Sequence, residues 1–554
     1  MTAPLLLAAL LAQAGLVEDL YSHRLLFDER GRPLVPIGMM QNAARVVVVG
    51  EHGLLVTAGE APPVEVTPGV PLVVERVSGT AAVVRPLWVI ETLEAEARQQ
   101  KRAAADVWAG RGLAAQILDV GGVYGVKGTV VDNRAALVVL PSVGDRLDDK
   151  TARALAAVGA RESTVEALDA LPSVQLRVLG ATAAFVRVVG KDGRPVLVKE
   201  VEHGVGYADH GFADRLLRGE LLVVPDKGGR VAVVNLVDED AVVAGVLPSE
   251  MFASAPLEAL KAQAVTARGE LFAKIGRRHL ADPFQVCSEQ HCQVYKGVSA
   301  EHPRATQAAD ETRGELAFVG ERLVESVYSA CCGGHTEAAD VVWDRPPQSA
   351  LAGRADVPFA DPASRPWLAP DVEASALAAR ARHDRKAPPV PIDLRTDAAV
   401  EALLAAPKDA TWCGRSSFNQ KGDVYRWTRR FTRVELDAAF ADLGVGEVRR
   451  LAVEERGPGG RLRALVIEGN KGRGRVLREL PVRKRLANLR SGLFVIDEER
   501  DAAGALLAVT LRGAGFGHGS GMCQQGAIGM AEGGADYRAI LRHYYVGAAV
   551  KRVF

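Results

Sequence analysis

Short apolar runs broken by Gly and Pro fill residues 15 to about 90, with Ala44–Val49, Gly53–Thr57 and Pro71–Glu75 as examples. That punctuation predicts a small β-rich module over 15–90. From residue 91 to 189 the pattern predicts helix, strand, strand, helix: a charged helix over Glu91–Ala109, strands near Ala114–Val120 and Ala135–Leu140, and a second helix over Asp149–Gly159. Arg230–Val237 is Val-rich and nearly continuous, bounded by Gly228-Gly229 and Asp238-Glu239-Asp240, as a strand buried on both faces should be. A helix follows from Pro256 with Ser254 as its cap, and Leu257, Leu260, Ala264, Ala267 and Leu271 form one stripe. Strands alternating with a few helices predict an α+β chain: β-rich N-terminal modules, then a mixed α/β domain over 190–554.

Composition narrows the classes. Apolar residues make up 48% and charged residues 25% of 554, which excludes a disordered or collagen-like chain. Lys plus Arg and Asp plus Glu are both 68, so no global field gathers nucleic acid, which is not expected as a partner. Residues 1–14 read as a secretory signal, with Leu5–Leu11 as apolar core and Ala12-Gln13-Ala14 before the cut, although a positive start is missing. The expected location is therefore the periplasm or cell envelope. Six prolines between Asp344 and Pro370 predict a surface insertion over 344–370.

Three groups of residues could carry chemistry. Glu250 stands among apolar neighbours in Val246-Leu247-Pro248-Ser249-Glu250-Met251-Phe252, where desolvation would keep its proton to higher pH and make it a general acid. Arg268, close to the apolar stripe of the next helix, wants a carboxylate or a polar ligand, and a simple ion pair would satisfy it equally. Cys287, His291 and Cys292, with His279 upstream and Cys331, Cys332 and His335 downstream, suit a structural tetrahedral zinc. In an exported protein a Cys287 to Cys292 disulfide is the open alternative. Gly515, Gly517, Gly519 and Gly521 alternate around His518 and leave backbone bare for a ligand or another chain segment. His518, Gln524 and Gln525 together offer donors and acceptors for sugar hydroxyls.

In these phrases the chain resembles the stage II sporulation protein D (SpoIID) family of peptidoglycan lytic transglycosylases. They are Gly245–Met251, Leu257–Val265, His291–Gly297, Gly333–Thr336 and Gly517–Gly526, all within 190–554. The resemblance implies that the catalytic acid falls on Glu250, the basic residue of the following helix on Arg268, and cleft positions on Gln293, Tyr295, His518 and Gln525. It also implies glycan strands as substrate, no cofactor for the chemistry, and a cell-wall amidase or an envelope recruiting protein as partner. Where the family has other residues, Ala241, Gly269-Glu270 and Cys523 depart from it. The element order of 91–189 is similar to the sporulation-related repeat domains that bind bare glycan, with an ordinary α+β module as the plainer alternative.

Overall fold

The computed structural model describes residues 15–141, 151, 163–206, 209–343, 345–357, 393–419 and 424–554. The expected signal segment and nearly all of the helix expected at 149–159 lie outside the described residues, as does most of the Pro-rich segment.

The Val-rich run forms the strand Val231–Asp238, buried along its length. Such a strand must be covered on both faces and paired on both edges. One edge takes Glu220–Pro225 and the other takes Pro33–Ala43, nearly two hundred residues earlier in the chain. The eight-stranded sheet built on this pairing runs in the order 26–27, 33–43, 231–238, 220–225, 186–190, 54–58, 64–66, and Val286–Cys287 adds in parallel to Pro33–Ala43. A six-stranded sheet, in the order 181–183, 173–178, 72–80, 45–49, 196–203, 211–217, shares its core: Val35, Val46, Val56, Val74, Val188, Val198 and Val233 are packed in one cluster. The strands expected before residue 90 are present, but their pairing crosses the boundaries expected at 90 and 190, so 15–90 is not a separate body. Alternating Val and Leu on these strands need a facing sheet, and only the later strands supply it.

Residues 83–170 add a further sheet, while their strands 123–126 and 129–132 join 315–319, 322–323 and 549–552 in another. Strands Val83–Glu94, Gln116–Val120, Ala135–Pro141 and Ser163–Ala170 form an antiparallel sheet in the order 163–170, 83–94, 135–141, 116–120, with helix Arg98–Gly110 beside it. Ile90, Leu93, Trp108, Val138 and Leu140 are its core. The expected helix start at Glu91 is wrong, because 91–94 completes a strand.

The region expected as one domain over 190–554 contains a second apolar core. Strands 426–432, 448–456, 462–469, 472–477, 494–500 and 506–514 enclose Trp427, Phe431, Phe440, Ile467, Phe494 and Leu511. The chain is thus α+β throughout, with helices Glu239–Glu250 and Leu257–Lys274 packed into the first core.

Candidate functional site

Glu250 is the last residue of helix Glu239–Glu250, which Asp238 caps through Ala241 N–H. The sequence reading placed Glu250 ahead of a helix and missed this one. Its apolar residues lie on every side, so no stripe marks it, and Pro248 sits in its last turn. The next helix, Leu257–Lys274, begins after Pro256, which makes no side-chain cap, so Ser254 does not serve as the expected cap.

The Glu250 side chain is half-buried. Burial raises its pKa, Tyr328 hydrogen-bonds it and pulls it back, Lys274 also lowers it, and the charge of Glu270 raises it. Tyr328 is the residue that sequence reading missed. Its phenol oxygen accepts from Gln293 Nε2 at 3.3 Å, leaving the O–H to donate to Glu250. The only hint in the sequence was its place three residues before Cys331-Cys332. Gln524 Nε2 donates to the Glu250 carbonyl at 2.7 Å and to Gln263 Oε1 at 3.2 Å, fixing the end of the helix from the opposite side.

Among the described residues, His518 is linked to Glu250 through Tyr328. Its Nδ1 accepts from Ser520 N–H at 3.1 Å, and the ring hydrogen-bonds the Tyr328 backbone. Trp343 lies against it with ring centroids 4.6 Å apart. Burial, reinforced by the nearby Arg461 charge, pulls His518 down to about 3, so the ring is neutral and positions Tyr328. Gln525 is buried and accepts from Ser416 Oγ at 2.7 Å.

Two expected substrate contacts sit elsewhere. Arg268 is fully buried, and its guanidinium pairs with Glu239 at 2.6 Å and Asp240 at 3.3 Å and donates to the carbonyls of Ala309 and Glu315. The simple ion pair is what the helix makes. Tyr295 is also buried, with its hydroxyl donating to Asn235 Oδ1 at 3.1 Å and its ring against Gly245. Neither side chain is free to meet a sugar.

The alternating glycines serve another chain segment. All four have positive φ, and Cβ positions at 515 and 521 would run into the backbone of residues 327–332. Close approach lets Met522–Cys523 pair in parallel with Tyr328–Ser329, which carries Tyr328. In Gly521→Ala a Cβ would stand 1.9 Å from the Val327 carbonyl oxygen at φ +69°. A cost of about 2 kcal/mol or more is expected, read as a lowered urea midpoint.

His279, Cys287, His291 and Cys292 do come together, with one ligand atom from each lying within 4.8 Å of all the others. Cys292 Sγ is 3.4 Å from His279 Nε2 and 3.7 Å from His291 Nδ1, and Cys287 Sγ is 3.8 Å from His291 Nδ1. A tetrahedron with bonds of about 2.3 Å to sulfur and 2.0 Å to nitrogen has edges near these values. Asp282 accepts from His279 Nδ1 at 2.9 Å, which aims Nε2 inward. The residues fit zinc. All six cysteines lie among the described residues and are free, so Cys287 and Cys292 are not joined. Cys331, Cys332 and His335 are not in this group.

Residues 227–318 match the model of the stage II sporulation protein (SpoIID) family, a span that holds both helices of the site and the His279 cluster. Over that span the chain is similar to the SpoIID family. Residues 358–521 match a domain of unknown function, DUF8618, a span that includes the second apolar core. An uncharacterised protein of Brachyspira hyodysenteriae is 26% identical over 332 residues, 60% of this chain and 71% of that protein. Stage II sporulation protein D of Bacillus amyloliquefaciens is 26% identical over 333 residues, 58% of this chain and 75% of that protein. The amidase enhancer of Bacillus subtilis is 25% identical over 324 residues, 55% of this chain and 40% of that protein. Within the matched span, Glu250 closes helix Glu239–Glu250 and is braced by Tyr328, Gln293 and Gln524.

Proposed function

We propose that this protein is a peptidoglycan lytic transglycosylase that cleaves the β-1,4 bond between N-acetylmuramic acid and N-acetylglucosamine. One observation carries the reading: a half-buried carboxyl with a raised pKa, held by a phenol, beside an exposed aromatic. Phe252 is 63% exposed and stacks on Phe418 with centroids 5.7 Å apart, a flat apolar face of the kind that packs against sugar rings. Protonated Glu250 gives its hydrogen to the leaving glycosidic oxygen. The resulting carboxylate takes the proton of the 6-hydroxyl of the same muramic residue as that oxygen attacks C1, closing a 1,6-anhydro ring. Protein carboxyl, leaving oxygen and ring hydroxyl balance without water, and Glu250 returns to its acid form.

Zinc held by His279, Cys287, His291 and Cys292 is structural in this reading. It would tie the loop after helix Leu257–Lys274 to the sheet edge, where Cys287 pairs with Gly38. Export to the periplasm or cell envelope belongs to this reading, because that is where peptidoglycan lies. Among the described residues no helix is long and apolar enough to cross a membrane.

A second reading, a glycan-binding enhancer of a cell-wall amidase, is favoured by the similarity to the amidase enhancer of Bacillus subtilis. Purified protein incubated alone with peptide-free and peptide-bearing glycan decides between them. Anhydro-muramic ends in mass spectra are expected; products appearing only when amidase is added would leave the enhancer reading standing.

Tyr328 sets the pH dependence of the transglycosylase. Its O–H stabilises the charged carboxylate, so Tyr328→Phe raises the Glu250 pKa further. The acid then keeps its proton to higher pH, and the alkaline limb of kcat/KM moves upward. A limb that stays in place would separate Tyr328 from the titrating group.

A further inference from the structure

A second group of metal-ligating side chains lies outside the His279 cluster. Cys332, Asp356, Cys413 and Cys523 are all fully buried, and one ligand atom from each lies within 4.8 Å of all the others. Cys332 Sγ is 3.7 Å from Cys413 Sγ and 3.3 Å from Asp356 Oδ2. For tetrahedral zinc, bonds of about 2.3 Å to sulfur and 2.0 Å to oxygen give edges of about 3.8 Å between sulfurs and 3.5 Å from sulfur to oxygen. The group already has the size of a coordination shell.

We infer that Cys332, Asp356, Cys413 and Cys523 form a second, structural metal centre for a single thiophilic divalent ion of the zinc type. The surroundings match what ligands of a cation need. Cys332 N–H and Gly526 N–H donate to Cys523 Sγ at 3.1 and 3.3 Å, and such donors favour a thiolate over a thiol or a disulfide sulfur. Cys413 N–H donates to Asp356 Oδ2 at 3.0 Å, Tyr544 O–H donates to Oδ1 at 2.8 Å, and His543 Nε2 stands 3.5 Å from Oδ1. These fix the carboxylate from behind while its front faces sulfur. A buried carboxylate among neutral groups is costly, and a divalent cation between it and three thiolates removes that cost. Binding releases the three thiol protons to solvent and changes no oxidation state.

The four ligands come from separate segments that meet beside Glu250. Cys332 follows strand Tyr328–Ser329, and Cys523 precedes Gln524. Cys413 lies on helix Trp412–Arg415, immediately before Ser416 and Phe418. One ion would clamp the phenol, the glutamine and the exposed aromatic pair to a common point. Cys331 lies in the same thiol group, hydrogen-bonding toward Cys413 and Cys523.

The test is metal content of the full chain loaded with Zn²⁺ and dialysed, read by inductively coupled plasma mass spectrometry. Cys413→Ser should lose one equivalent that a Cys287→Ser/Cys292→Ser variant keeps, so this centre is scored apart from the His279 site. Because Cys413→Ser could fail to fold, two readouts need no change at the centre. In the Cys287→Ser/Cys292→Ser variant reconstituted with Co²⁺, more than half of the wild-type sulfur-to-cobalt absorption should remain. Peptide mapping of unreduced wild-type protein should find Cys331, Cys332, Cys413 and Cys523 all alkylatable in denaturant. A disulfide between any two of these four, or loss of all sulfur-to-cobalt absorption in the Cys287→Ser/Cys292→Ser variant, would overturn the centre.

Discussion

Glu250→Gln is expected to remove anhydro-muramic products while leaving the protein folded. The amide keeps the size of the acid and still accepts from Tyr328, but it has no proton to give and no basic oxygen to take one back. Loss of a positioned acid costs about 10²- to 10⁴-fold in rate, and here one group serves both halves of the reaction. Stability should move the other way. Burial raises the folded-state pKa of Glu250 above its unfolded value. Its contribution is therefore fully present below the ordinary glutamate range and is lost as pH rises through the raised value. The amide has no such loss, so the melting temperature of the variant should match wild type at low pH and exceed it at neutral pH. Normal yields of anhydro ends in mass spectra, with melting curves parallel to wild type, would remove Glu250 from the chemistry.

Arg268→Met is the substitution with the largest expected effect on stability. The guanidinium has no exposed surface, and Glu239 beside it is equally enclosed. Removing one partner of such a pair strands the other, at a cost of about 3–5 kcal/mol. Asp240 retains Arg313 at 2.5 Å, so Glu239 bears most of the loss. The double variant Arg268→Met/Glu239→Leu removes both charges and should recover most of the stability in urea denaturation. A substrate-binding arginine would behave differently: the single variant would unfold like wild type and show a raised KM. That outcome would restore the role its place in the sequence suggested.

The residues that brace Glu250 were unequally legible. Gln293, His518, Gln524 and Gln525 stand in motifs, but Gln293 and His518 hold Tyr328, Gln524 holds the Glu250 carbonyl and Gln263, and Gln525 holds Ser416 rather than standing free for a ligand. Tyr328 carries no motif of its own, because a tyrosine between a valine and a serine in a short strand has no pattern to distinguish it. Arg268 and Tyr295 lie in motifs too, yet serve packing: a long side chain on a helix buried all round must be neutralised inside.

The sequence alone determined the α+β class, the Val-rich central strand and the acid at 250, and it brought Cys287, His291 and Cys292 together as candidate ligands, since each depends on local pattern or on spacings of a few residues; the fold chose His279 over Cys331, Cys332 and His335 as the fourth. Tertiary structure decided what joins across long separations. It paired Pro33–Ala43 with Val231–Asp238, enclosed a second apolar core between Tyr328 and Cys523, and gathered Cys332, Asp356, Cys413 and Cys523 from 332 to 523. Strand pairing and ligand clusters are satisfied by whichever groups the folded backbone brings within reach. Distance along the chain does not encode that choice.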